Sequence, residues 1–144
     1  KVYYGDASRI EVLNAAGAAN AEVLVIAIDD AEASVRAVTL VRKQFPHLKI
    51  LARARNRQHA IRLMDLGVHY LMRETLLSSL DMAQHTLEAL GMSRTEALDS
   101  IHRFRTHDER ALEQQREDIE AMLAEISQFE QQCEQELTRR NAAK

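Results

Sequence analysis

The chain reads as an α/β protein, part of a Rossmann-type parallel sheet with flanking helices, followed by a long C-terminal helical region. Two observations predict this class. Over residues 1–74, short apolar runs alternate with helical patterns, and after residue 74 only helical patterns continue. The run "EVLVIAI" at 22–28 also lacks polar alternation, as a parallel strand covered on both faces does.

The elements follow in order. "VYY" at 2–4 is the first expected strand, and Gly5 turns the chain into a helical pattern at 8–16 with Ser8 as its N-cap and Gly17 beyond its end. The strand 22–28 leads into a helix over 31–45, where Val35, Val38, Val41 and Phe45 recur at three and four residues and form one buried face. Pro46 stops that helix. "KILARA" at 49–54 is the next strand, followed by a helix over 57–66 that Asn56 caps and Gly67 closes. "VHYLM" at 68–72 is a weaker strand candidate. Strands and helices alternating at these lengths imply right-handed βαβ units.

"TLLSSLDMAQHTLEALG" at 75–91 reads as one helix, with Leu76, Leu80, Ala83, Leu87 and Leu90 as a stripe suited to self-association or to cover by the sheet. Ser93 and Glu96 are spaced as a capping box opening another helix. From Leu112 a heptad repeat appears. Leu112, Ile119, Ile126 and Cys133 hold one position, and Met122 and Phe129 the other, with Gln115 and Glu136 interrupting. An intramolecular helix contact and a short coiled coil both fit it, and Cys133 reads as a small core residue. The expected organisation is a C-terminal part of a Rossmann-type domain at 1–74, a helical dimerisation or peripheral region at 75–107, and an acidic helix at 108–144.

Composition narrows the function. The 144 residues are 46% apolar but only 4% aromatic, with no Trp, one Pro and four Gly, so the core must be aliphatic. The apolar run at 23–28 is too short to cross a bilayer, and the chain is expected to be soluble. Lone Cys133 allows no internal disulfide. The net charge of −3 divides into 14 basic and 12 acidic residues over 1–107, against 5 and 10 over 108–144. No broad basic surface of a nucleic-acid binder is present. The six His lack zinc spacing, so no metal is expected, and no Ser/His/Asp or Cys/His arrangement is legible.

Chemistry concentrates where the expected strands end. In "YYGDAS", Asp6 or Ser8 caps a helix, or Gly5 permits a tight turn that lets Asp6 and Ala7 border a ligand. In "VIAIDD", Asp29 and Asp30 cap a helix, or they sit in the crevice where open α/β sheets bind ligands. "ARAR" ends at the same edge, and strand alternation puts Arg53 and Arg55 on one face with Ala52 and Ala54 opposite. Two arginines facing an acid make a structural ion pair. They also suit a carboxylate or phosphate held by paired hydrogen bonds.

Together "VYYGDAS", "NAAGAANAEVLVIAIDD", "FPHLKILARARNRQH", "LGVHYLMRET" and "TLEALGMSRTEA" resemble the regulatory (RCK/KTN-type) domain of Kef-type, glutathione-gated potassium-efflux antiporters, over about residues 1–107. The resemblance implies a non-enzymatic domain at the cytoplasmic face of the bacterial inner membrane. It would pair as a homodimer beneath the membrane antiporter domain of the same protein, and an ancillary oxidoreductase subunit is a further partner. Glutathione would hold the system closed and its electrophile adducts would open it. An adenine nucleotide, AMP or NAD(H), would bind in the complete domain, with Gly5, Asp6, Ala7, Asp29 and Asp30 at its edge, and Arg53 and Arg55 would face the anionic regulatory ligand. The glycine-rich turn expected of such a domain is absent, so the chain reads as a fragment of a longer protein. Two rivals remain at this point, a fragment of a nucleotide-dependent dehydrogenase and a receiver-like interaction module. The dehydrogenase reading lacks a legible proton donor or base. The receiver reading expects a Lys where "KILARA" runs into Arg.

Overall fold

The computed structural model describes residues 2–142, which divide into two compact units, the first ending at Ile101 and the second beginning at His102. In the first unit a parallel sheet of three strands has the order β1-β2-β3, with β1 at Val23–Ile26, β2 at Lys49–Ala54 and β3 at Tyr70–Arg73. Helices α1 (Ile10–Ala15), α2 (Ala31–Gln44), α3 (Arg57–Asp65) and α4 (Leu76–Ala89) alternate with them, and a 3-10 turn covers Ala18–Asn20. Helix α5 runs from Arg94 to Ala142, so position 108 falls inside a continuous helix.

The sheet buries one face well. Ile50, Ala52 and Ala54 on β2 are buried, and so are Val38 and Val41 of α2, Leu48 of the approach to β2, and Ala60, Ile61 and Leu63 of α3. The small Ala52 and Ala54 leave room for α3 to lie close. The other face is open, which corrects the expectation that the first long strand is covered on both sides. Val23 is 47% exposed and Val25 66%, with Tyr70 and Met72 on β3 likewise exposed. The β1–β2–β3 register aligns Val25, Leu51 and Tyr70 in one row of this open face.

The expected strand at 2–4 does not form. Val2 and Tyr4 stand exposed, and three residues offer too few ladder bonds to hold an edge alone. Ser8 does not cap α1 either. The residue before the helix is Arg9, with no side-chain cap, because Asp6 Oδ1 engages both the backbone N–H (2.8 Å) and the hydroxyl (2.7 Å) of Ser8.

The other caps stand where the residue types put them. Asn56 accepts from the His59 N–H, and Gly17, Gly67 and Gly91 end their helices at positive φ, the conformation glycine adopts without strain. Ser93 and Glu96 form the reciprocal box, with the Ser93 N–H donating to Glu96 and the Glu96 N–H to the Ser93 hydroxyl. Arg42 adds a tie that sequence did not signal. Its guanidinium donates to the carbonyls of Leu66 (3.1 Å), Gly67 and Leu48 (3.4 Å), joining the end of α3 to the entry of β2.

The stripe expected on α4 turns partly inward. Leu80 is buried and Leu76, Ala83 and Leu87 are half-buried, while Leu90 is exposed together with Leu77 and Met82. In the second unit Cys133 is exposed, against the expectation of a core residue, because the heptad positions from Ile119 onward stand in solvent.

His59 is the one titratable side chain buried in the core among the described residues, at 2% exposure. Its Nδ1 accepts from the Arg55 N–H at 3.2 Å, which places the neutral ring's proton on a buried Nε2 that has no hydrogen-bond partner among the described residues. Burial lowers its pKa, the nearby Arg62 charge lowers it further, and Glu32 opposes them. Folded His59 therefore stays neutral at pH values where the unfolded residue takes a proton. The stability this supplies is complete above the unfolded pKa near 6.5 and is lost as pH falls below it. Urea unfolding between pH 7.5 and pH 5 should show wild type losing up to about 1.4 kcal/mol more per pH unit than His59→Gln. Parallel pH profiles for the two proteins would reject this role.

Candidate functional site

The C-terminal ends of the strands form the site, and Arg53 organises it. It lies one residue before the end of β2, opposite Met72 of β3. Its Nη2 donates to the Ala27 carbonyl at 3.0 Å and to the Asp29 carboxylate, both just past β1. Its Nη1 donates to Glu74 Oε1 at 3.0 Å, just past β3. One planar guanidinium thus spans three strand ends, with its side chain only 24% exposed.

Arg55 differs. It is exposed, and its Nη1 makes a long bond of 3.3 Å to the Asp29 carbonyl. Arg62, also in the basic cluster, is held by both oxygens of Glu32, which ties α3 to α2. That ion pair holds the Glu32 carboxyl below its ordinary range and raises the Arg62 pKa. Arg57 opens α3.

The acids separate by role. Asp29 binds Arg53, whereas Asp30 caps α2 by accepting from the Ala33 N–H at 2.6 Å. Asp6 is closed on Ser8, whose backbone N–H and hydroxyl lower its pKa. Gly5 packs so close to α1 that a Cβ there would come within 2.7 Å of Val12 Cγ2. Ala7 lines an apolar groove of about 170 Å³ with Leu13, Ala37 and the run from Leu24 in β1 to Ile28 just beyond it. The structure thus brings Ala7 to the end of β1, and Arg53, Arg55 and Asp29 to one another. Glu74 and the Ala27 carbonyl were missed by sequence reasoning. Only the strand register reveals them, since "MRET" follows a weak strand.

Among the described residues no group of His, Cys, Asp and Glu is arranged to hold a metal ion, and no helix is long and apolar enough to cross a membrane.

A parallel sheet with acids closing β1 and arginines closing β2 defines the Rossmann-type α/β class. The chain belongs to the TrkA-N domain family, which matches residues 1–74, and residues 78–143 match the potassium efflux system KefB C-terminal domain. The resemblance to Kef-type regulatory domains is borne out. A glutathione-regulated potassium-efflux system protein KefC of Salmonella paratyphi B is 46% identical over 79% of this chain. The chain spans only 18% of that relative's length. The solved structure of the Shewanella denitrificans Kef CTD in AMP bound form is 42% identical, with a TM-score of 0.78 over 81% of this chain and 73% of that one. The TrkA-N domain of the inner membrane protein ybaL from Escherichia coli shares the fold, at 22% identity and a TM-score of 0.51 over 61% of this chain and 62% of that one.

The two arginines should separate in a stability measurement. Arg53→Ala leaves Asp29 and Glu74 facing each other with no cation between them, and should cost about 1.5–3 kcal/mol in urea unfolding. Arg55→Ala should stay within about 0.5 kcal/mol of wild type. Equal losses would show that Arg53 is no more structural than its neighbour.

Proposed function

We propose that the chain is the ligand-sensing part of a regulatory domain that gates potassium efflux, as potassium–proton antiport, in response to glutathione and its adducts. The observation that carries this reading is the exposed Arg55 guanidinium beside an already satisfied Arg53, at the edge where open α/β sheets take ligands. Arg53 is committed to carboxylates of the chain, so an incoming anion meets Arg55 first. The names of the Salmonella relatives supply the ligand class and the transported ion. The domain performs no catalytic step of its own.

An adenine nucleotide, AMP or NAD(H), is the second ligand of this reading, by analogy with the AMP-bound Shewanella relative. The apolar groove beside Ala7 suits a flat ring, and Gly5, Asp6, Asp29 and Asp30 lie on the turns at that end of the sheet. The open sheet face and the outer edge of β1, unpaired among the described residues, favour a longer domain in the whole protein, with further elements laid against Val23, Val25, Tyr70 and Met72. That protein would carry a membrane antiporter domain and keep this part at the cytoplasmic face of the inner membrane. Pairing into a homodimer would bury the exposed Leu77, Met82 and Leu90 of the α4 segment, and an ancillary oxidoreductase subunit would dock on the pair.

Calorimetry with glutathione on the complete domain tests the ligand. Arg55→Ala removes a charge-assisted contact worth about 1.5–3 kcal/mol, so affinity should fall by about one to two decades while the fold persists. Unchanged affinity makes Arg55 a structural rim, and no binding by the wild-type domain rejects the glutathione reading.

A further inference from the structure

Helix α5 exposes a second apolar surface, far along the chain from the ligand edge. Ile119 (37%), Met122 (61%), Leu123 (61%), Ile126 (50%), Phe129 (67%) and Leu137 (59%) stand in solvent. With exposed Cys133, they repeat at heptad spacing, the period that keeps one seam facing a partner helix over several turns. We propose that this seam binds the same segment of a second copy of the chain, as an antiparallel two-helix coiled coil whose two-fold axis passes between Ser127 and Gln128.

Charge decides both occupant and direction. In a parallel pair each Glu125 would face Glu130 of the second copy, and the two Glu136 side chains would meet in the seam. Both are like-charge contacts. In the antiparallel register Ile126 packs on Phe129 of the second copy and Met122 on its Cys133. Asp118 then meets Arg139 of the second copy, twice by symmetry. Ile119 faces Glu136 of the second copy, so each Glu136 carboxylate meets an apolar side chain and not the other carboxylate. Glu125 lies beside Gln132, and Glu130 beside Leu123, so no flanking pair repels. A self-complementary seam with an ion pair near each end fits a second copy of itself better than an unrelated helix.

Disulfide trapping reads the register. Cys133 is the chain's one cysteine, and the antiparallel pairing sets it opposite Met122 rather than opposite itself. The full chain carrying Met122→Cys should form a covalent dimer under diamide, which takes both thiol hydrogens as the S–S bond forms. Wild type should not, and adding Cys133→Ser to M122C should abolish the product. Asp118→Arg on the M122C background should reduce the yield, and a further Arg139→Asp should restore it. A wild-type chain that cross-links through its own Cys133 means parallel pairing and overturns the proposal. So does an M122C protein that stays monomeric, or a yield indifferent to the two charge reversals. Helical circular dichroism equal to wild type ensures that a lost product reports a lost contact and not an unfolded helix.

Discussion

The first unit depends on how Arg53 is neutralised. A parallel sheet brings all its strand C-termini to one edge, where carbonyls and following turns gather without partners of their own. Arg53 meets that need from the middle strand by reaching the Ala27 carbonyl and the Asp29 carboxylate on one side and Glu74 on the other. A lysine could supply the charge but not the planar fork that satisfies separate acceptors at once. The Arg53 side chain is mostly shielded while the Asp29 carboxylate is exposed, so the Glu74 contact is the better protected of the two ion pairs from the screening that weakens exposed ones. One of the two arginines offered by "ARAR" is therefore occupied by acceptors of the chain itself.

That division of labour leaves the two arginines in unlike surroundings. Asp29 serves both arginines, its carboxylate toward Arg53 and its carbonyl toward Arg55. Both bonds fall on the loop that joins β1 to α2, and that loop also holds Asp30, the cap of α2. The core side of the same segment is fixed. The Arg55 N–H is tied to buried His59, and α3 is clamped to α2 through Arg62 and Glu32. The edge is thus linked by hydrogen bonds to the start of α2 as well as to β2.

Much of this was legible in the sequence, for reasons that differ by element. The helix 31–45 and the strand "KILARA" were clear because burial imposes one period on each, and Asn56, Gly67 and the Ser93–Glu96 box were clear because caps are local chemistry. "VYY" failed because a strand needs a neighbour, and composition does not say whether the neighbour is there. Ser8 failed because a nearer acceptor, Asp6, took its donors. For the site, alternation correctly set Arg53 and Arg55 on one face, but the choice between ion pair and ligand grip turned on Glu74, which only strand register brings within reach. The buried His59 carried no signal at all, since its acceptor role is set by a backbone N–H four residues earlier.

What the chain leaves uncovered has the same physical origin in both units. Parallel strands and heptad helices are half-structures, since each builds an apolar face that its own backbone cannot hide. Val23, Val25, Tyr70 and Met72 on the sheet, and Met122, Ile126 and Phe129 on α5, are too large and too regularly spaced for ordinary surface residues. The sheet face also carries Lys49 beside Val23 and Arg53 opposite Met72, so its apolar groups are bordered by charge. The α5 seam is bordered by Asp118, Glu125, Glu130 and Arg139, so charge selects there as well. On both surfaces regular apolar spacing sets where a covering element can lie, and the bordering charges restrict which element it can be.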